Sequence, residues 1–335
     1  AGLLLEKGYD VVGVTMRLWT DFPAGVDPAV EAAREVASVL NIEHRVVDLA
    51  EPFRRTVVRD FVAEYAAGRT PNPCVRCNHL IKFGLLWESI RRTGADRMAT
   101  GHYVRRRWDP EKERHLLLRG RDPGKDQSYV LYALRQKQLA RSLFPLGDWS
   151  KDRVRERAQE LDLPVGDRAE SQEICFLRGE DYRDFLRRQI PGDIRPGPIV
   201  DPCGEVLGQH SGLPFYTVGQ RRGLGISAAH PLYVLQLDPG NNALVVGPRE
   251  QLRSAGAVLS DVNFLPFSHL TGPVQVQVQI RYNAPPVPAV LCPHDEGAEI
   301  RFSRPRDAVT PGQSAVCYWD DVLVGGGIIC CAPDA

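Results

Sequence analysis

The sequence predicts an α/β fold with a parallel sheet, followed by a small mostly β module and a C-terminal β-barrel. Three observations on this 335-residue chain carry that expectation. Over the first half, short apolar runs alternate with amphipathic stretches of helical length, the pattern of a parallel sheet with helices on both faces. Near Pro191 the texture changes to Pro, Gly and short apolar runs, as in Pro191-Gly192-Asp193 and Arg195-Pro196-Gly197-Pro198. From Val258 onward the segments look all-β, and Val274, Val276, Val278 and Ile280 alternate with polar residues as a half-buried strand requires. A chain of this length can bury two or three cores, so several domains are expected.

The elements follow in order. Ala1-Gly2-Leu3-Leu4-Leu5 reads as the middle of a helix, with no initiator methionine, so the chain reads as N-terminally shortened. Val11–Met16 reads as a buried strand. Asp27-Pro28 supplies an N-cap and a proline at the first helical position, opening a helix to about Leu40. Val30, Ala33, Val36, Ala37 and Leu40 share one of its faces. Arg45–Leu49 reads as a strand, Pro52–Ala67 and His79–Arg92 as helices, and Arg97–Thr100 as a strand running into Gly101-His102. Residues 103–126, rich in both charge signs, read as a hairpin or mobile loop. Ser150–Leu161 carries a Ser N-cap with Val154, Ala158 and Leu161 at helical spacing. Strands near 287–291, 298–303, 313–319 and 321–329 complete the expected barrel. The domains expected are 1–190 (catalytic, nucleotide-binding), 191–252 (central module) and 253–335 (barrel).

Composition narrows the class. Hydrophobic residues make up 43% and charged residues 25%, ordinary for a globular protein. Lys and Arg total 42 against 42 Asp and Glu, so no global field draws in nucleic acid, and any RNA contact must come from local patches. Arginine outnumbers lysine, which suits bidentate phosphate contacts but also follows from codon usage. No apolar run is long enough to cross a bilayer, no secretory signal is present, and eight cysteines at irregular spacing do not read as an oxidised scaffold. A cytoplasmic location without a membrane partner is expected.

The most informative stretch is Thr70-Pro71-Asn72-Pro73-Cys74-Val75-Arg76-Cys77-Asn78. It reads as a proline-stiffened loop just before a helix, where the helix dipole and Arg76 would favour a thiolate. A C-x-x-C pair can bind zinc, work as a dithiol, pack inertly or contain one nucleophile. His79 stands awkwardly for a shared zinc with this pair, and Cys330-Cys331 is adjacent rather than spaced. Cys175, in Ser171-Gln172-Glu173-Ile174-Cys175-Phe176, reads on spacing alone as either a core residue or a second reactive thiol. Cys203, Cys292, Cys317, Cys330 and Cys331 fit packing. Gly101-His102 suits a backbone approach to a nucleotide or an ordinary turn, and Lys125-Asp126-Gln127 a binding loop or a solvated one. The loop Gly219-Gln220-Arg221-Arg222-Gly223-Leu224-Gly225 offers phosphate contacts without the strand–helix setting of a nucleotide fingerprint.

Taken together these segments resemble the bacterial tRNA-specific 2-thiouridylases (MnmA-type). The matching stretches are Thr70–Asn78 with Ile81-Lys82-Phe83, Ala99-Thr100-Gly101-His102-Tyr103, Lys125-Asp126-Gln127-Ser128-Tyr129, Ser171–Phe176, Thr217–Gly225 and Pro311-Gly312-Gln313-Ser314-Ala315. They occur in family order across essentially the whole chain. The resemblance implies a Rossmann-like sheet of the adenine nucleotide alpha hydrolase (PP-loop) type. It implies an enzyme that uses ATP, with Mg as its counterion, to adenylate the wobble-uridine C2 oxygen, which is then replaced by sulfur. The partners implied are the tRNA anticodon arm and a persulfide donor such as a cysteine desulfurase or relay protein. By motif, Cys77 is implied as nucleophile and Cys175 as persulfide carrier, the two disulfide-bonded in some states. Asn72, Pro73 and Cys74 are implied to meet the target base, and Met16 and Gly101 the adenine nucleotide. His102, Lys125, Asp126, Gln127, Arg281, Tyr282 and Gln313 are implied to contact tRNA.

Two departures stand out. The family's Ser-Gly-Gly-Val-Asp-Ser-Ser loop belongs ahead of Ala1, and position 74 is Cys where some members have Asp as an acid–base group. The competing readings are a tRNA-binding fragment without catalysis, and a zinc or dithiol redox protein.

Overall fold

The computed structural model describes residues 1–19, 27–164, 174–192, 194–295 and 297–333. Ser171, Gln172 and Glu173 of the second cysteine motif, and Asp193, lie outside the described residues. The chain divides into two compact units, one of residues 1–58, 74–176 and 321–323, the other of residues 59–73, 177–320 and 324–335.

In the first unit, β1 (Gly13–Arg17) and β2 (His44–Asp48) pair in parallel, with Gly13 opposite His44 and Arg17 opposite Asp48. Parallel neighbours need a crossover, and the helix Pro28–Val39 supplies it. The Asp27 side chain caps that helix by accepting from the Ala29 N–H at 2.9 Å. Of the face read from the sequence, Val30 and Ala37 are buried, while Ala33, Val36 and Leu40 are half-buried and Ala32 takes an inner place. A second parallel pair joins β3 (Met98–Ala99) to β6 (Ser142–Leu143). Between them β4 (Val104–Asp109) and β5 (Arg114–Arg119) form the antiparallel hairpin expected of the charged stretch. The helix Lys151–Glu160 is capped by the Ser150 hydroxyl, which accepts from the Arg153 N–H at 3.3 Å.

The thiol-bearing helix corrects the sequence reading. It starts at Pro73, six positions ahead of His79, and runs through Pro73–Arg76, the π-helical Cys77–Leu86 and Trp87–Ile90. Pro73 fits a first helical position because the N–H it lacks has no intrahelical partner there. The Cys-x-x-Cys pair therefore lies inside the helix, not in a loop before it.

The second unit is mostly β. The helix Tyr182–Gln189, capped by Asp181, precedes a four-stranded sheet in the order β8-β7-β10-β9. Its strands are β7 (Gly197–Val200), β8 (Val206–His210), β9 (Tyr233–Asp238) and β10 (Ala243–Gly247). Six more strands follow: β11 (Arg253–Phe264), β12 (Val274–Gln279), β13 (Val287–His294), β14 (Gly297–Asp307), β15 (Ser314–Trp319) and β16 (Val322–Cys331). They follow one another as β11-β14-β13-β12-β15-β16, and pairing of β11 with β16 closes the barrel. Val276 and Val278 point into its core with Leu259, Leu291, Ile300, Cys317 and Val324, while Gln275 and Gln277 face out. The alternation read from the sequence is thus the inside–outside alternation of a barrel wall.

Candidate functional site

Two thiols of the first unit, Cys175 and Cys74, act on a third, Cys77, and Cys74 also acts on Cys175. Burial pushes Cys77 up to about 12; Lys82 opposes that shift, and Cys175 and Cys74 add to it. Cys175 is raised first by the protein packed around it and next by Cys74, with Lys82 again opposing. Cys74 is raised in the same way, and Lys82 is the group that lowers it. Cys74 and Cys175 still present surface to solvent, whereas Cys77 is 8% exposed. All eight cysteines are free thiols.

This arrangement overturns the expected source of activation. Arg76 Nε donates to the Thr56 carbonyl at 3.1 Å, and Lys82, not Arg76, is the cation that lowers Cys77 among the described residues. The helix dipole acts within the first turn, where Cys74 sits, and Cys77 lies beyond it. Desolvation is the leading influence on Cys77, so its thiol is protonated at neutral pH until something further stabilises the anion. Next to it Asn78 is 2% exposed, with Nδ2 donating to the Val130 carbonyl at 3.2 Å. Its Oδ1 is buried with no hydrogen-bond partner among the described residues, as is His79 Nδ1.

His102 closes the polar part of the cluster. It is 8% exposed, its Nδ1 shares a hydrogen bond with the Thr100 hydroxyl at 2.8 Å, and its ring stands 6.0 Å from Phe83. Burial, with Lys82 adding to it, lowers its pKa to about 3, so the imidazole is neutral at physiological pH. Gly101, the residue before it, lines a cavity of about 270 Å³ with Ala99, Thr100, Leu146, Trp149 and Arg157. Val154, Ala158 and Leu161 also line it, so the apolar face read from the Ser150–Leu161 pattern borders this cavity. Met16 on β1 is half-buried and is not part of the lining. The walls are mainly apolar with one guanidinium, which suits the flat face of a base. Among the described residues that line it there is no carboxylate for a magnesium ion.

In the second unit, motifs far apart in sequence meet. Gln313 Nε2 donates to the Thr70 carbonyl at 2.9 Å, and the Thr70 N–H donates to the Pro311 carbonyl at 2.9 Å. The Thr70 hydroxyl donates to that of Thr217 at 3.2 Å. Arg281 Nη2 donates to the Ala308 carbonyl at 2.8 Å and to Thr310 Oγ1 at 3.1 Å. Gly219, at φ +87°, approaches Ala308 so closely that a Cβ there would lie 2.5 Å from its Cβ. Gly312, at φ +88°, leaves only 2.8 Å between a would-be Cβ and the Thr70 nitrogen. Thr70–Pro73 is therefore held from behind by Gln313 and Gly312. Arg281 and Tyr282 stay exposed, Tyr282 at 40%.

Residues 1–179 match a family model described as tRNA methyl transferase HUP domain, and residues 183–248 one described as tRNA methyl transferase PRC-barrel domain. Residues 254–329 match one described as Aminomethyltransferase beta-barrel domain. A curated tRNA-specific 2-thiouridylase MnmA of Moorella thermoacetica is 48% identical, over 98% of this chain and 95% of its own length. Its namesake in Desulforamulus reducens is 46% identical, over 98% of this chain and 92% of its own. The chain belongs to the tRNA-specific 2-thiouridylase family. Its fold is of the corresponding kind, a Rossmann-like HUP domain with parallel strands and a closed C-terminal barrel.

For a 2-thiouridylase-family chain, the residues named by motif fall into three sets. Cys74, Cys77, Cys175 and His102 share the influence of Lys82, and Gly101 stands beside His102 at the cavity. Asn72, Pro73, Gln313, Arg281 and Tyr282 belong to the second unit. The third set, Lys125–Gln127, is a braced loop. Asp126 accepts from Arg119 Nη1 at 2.8 Å, from the Gly120 and Ser128 N–H groups at 3.0 and 3.1 Å, and from the Ser128 hydroxyl at 2.8 Å. Gln127 Oε1 accepts from the Tyr103 N–H at 3.1 Å. Lys82, Thr100 and Asn78 carry no role in the sequence reading. All three were visible in the sequence only as members of matching motifs.

Proposed function

We propose that the chain is an ATP-dependent tRNA-uridine 2-sulfurtransferase, acting on C2 of the wobble uridine. One observation supports the reading: Cys77, separated from Cys175 by most of a domain in sequence, nevertheless lies within that thiol's electrostatic influence, and Cys74 acts on both. A single nucleophile needs no such company, and a structural zinc needs ligands that do not gather here. Among the described residues no three His, Cys, Asp or Glu side chains come together to hold a metal ion.

ATP supplies the adenylyl group that turns the uridine C2 oxygen into a leaving group, with Mg as its counterion. The chain does the rest. Gly101 and the cavity around it receive the adenine, and Met16 contacts the nucleotide from β1. Cys175, at the surface, accepts sulfur as a persulfide from a donor protein. Its terminal sulfur attacks C2, and Cys77 then attacks the inner Cys175 sulfur, leaving the transferred sulfur on the base and a disulfide between the two cysteines. Neutral His102 hydrogen-bonds within the site without adding a second cation. Asn72, Pro73 and Cys74 meet the target base, and a flipped uridine in a desolvated pocket is how chemistry reaches a base edge. His102, Lys125, Asp126, Gln127, Arg281, Tyr282 and Gln313 contact the tRNA, with Asp126 also holding its loop in shape.

The three-part division at 190 and 252, the persulfide donor and a cytoplasmic location belong to the same proposal. Among the described residues no helix is long and apolar enough to cross a membrane. The test is to incubate the protein with ATP, tRNA and a persulfide donor, and to read 2-thiouridine by mass spectrometry. The protein is expected to form it at the wobble position. No 2-thiouridine, with tRNA still bound, would leave the binding-fragment reading in its place.

A further inference from the structure

Ile81-Lys82-Phe83 belongs to the motif series, yet the proposed reaction gives Lys82 nothing to do. Its position is specific. It lies five residues after Cys77 in the π-helical stretch Cys77–Leu86, where i→i+5 hydrogen bonding sets residues five apart about one turn from each other. The next residue, Phe83, is buried and packs 6.0 Å from the His102 ring. Lys82 is half-buried and makes no hydrogen bond or ion pair among the described residues. A partly desolvated ammonium without an anion is unfavourable.

The groups around it show which anion would complete it. Cys74, Cys77 and Cys175 all lie within its electrostatic reach, as does His102, which is neutral. Among the described residues no carboxylate acts on these thiols. The other cation near the cluster, Arg76, is directed to the Thr56 carbonyl, and Arg135 acts on His79. Lys82 is thus the cation shared by three sulfurs.

We infer that Lys82 is the positioning residue of the thiol cluster, its ammonium, about one helical turn from Cys77, holding the negative charge of a thiolate or persulfide there. This deepens the sulfurtransferase reading and rests on it for its purpose. Its test needs neither tRNA nor ATP, so the two can fail separately. A fixed cation beside a desolvated thiol offsets part of the burial penalty and raises the anionic fraction. It also keeps a transferred sulfur anionic wherever in the cluster it rests.

The test is iodoacetamide alkylation of the reduced chain across pH, with each thiol read by mass spectrometry. Trypsin separates Cys74 (residues 70–76) from Cys77 (residues 77–82) in the wild-type chain. Lys82→Met is expected to slow alkylation of Cys77 about tenfold near pH 8, and to slow that of Cys74 and Cys175 in the same direction. The exposed Cys203 should be unchanged. Lys82→Arg, which keeps the charge, should stay within about twofold of wild type. Lys82→Gln provides the same comparison should Lys82→Met fail to fold. An unchanged Cys77 alkylation rate in a folded charge-free variant would overturn the inference. So would an equal slowing in Lys82→Arg, since that would mark a packing role.

Discussion

Cys77 in the first unit and Cys317 in the barrel are both buried thiols raised to about 12, and their surroundings could hardly differ more. Burial is the one influence on Cys317, which packs among Val278, Leu291, Ile300 and their neighbours. Cys77 has close by a cation, two further thiols and a buried amide oxygen without a partner among the described residues. Burial alone therefore does not mark a working cysteine; the neighbours do. In the barrel, ladder hydrogen bonds satisfy the backbone and apolar side chains fill the space. In the thiol cluster, desolvated polar groups are left incomplete, as expected where a substrate completes them.

The sharpest way to break this comparison is to alter both thiols. Cys77→Ser and Cys175→Ser should each abolish 2-thiouridine formation while leaving tRNA binding largely intact. Cys317→Ala should leave turnover unchanged and cost about 1 kcal/mol of stability through a small cavity. Activity retained in either serine variant, or lost in Cys317→Ala, would reverse the contrast.

Next in size is the brace behind the Thr70–Pro73 segment. Gly312→Ala places a Cβ against the Thr70 backbone at a left-handed φ, so denaturant unfolding should show a loss of about 2–3 kcal/mol. An unchanged midpoint would mean that this contact yields freely.

The third test uses pH. His102 has a folded-state pKa of about 3, below the ordinary imidazole value. As pH falls below about 6.5 the unfolded chain takes up the proton and the folded chain does not, so stability declines with falling pH until about 3. The loss should be about 2 kcal/mol by pH 5, and His102→Asn should flatten that window. An identical pH dependence in both would move the cause elsewhere.

The smallest effect belongs to the barrel's exposed surface. Arg281→Ala should weaken tRNA binding about threefold and reduce the slope of log affinity against log salt by about 1. No change in either would remove Arg281 from the contact surface.

Local signals in the sequence carried far. Asp27-Pro28 marked a helix start that the structure keeps to the residue, and Val274–Ile280 alternated as one barrel wall. The short strand Ser142–Leu143 and the helix Tyr182–Gln189 were missed. Two residues are too few to show a period, and the helix's polar sequence hides its two buried residues, Phe185 and Leu186. The start at Pro73 was read too late because Thr70-Pro71-Asn72-Pro73 looks like turn chemistry until the second proline is placed at the first helical position. The thiols were legible as motif members. Their high pKa and their shared lysine were not, because both arise from contacts between segments that the sequence keeps apart.

The most direct measurement of the central claim is a disulfide map of the folded chain after mild oxidation. Trypsin leaves Cys74, Cys77 and Cys175 in separate peptides. The account predicts a Cys77–Cys175 linkage formed before denaturation, with Cys317 unreacted. Linkages distributed among all the cysteines, or none joining Cys175 to Cys77, would contradict it.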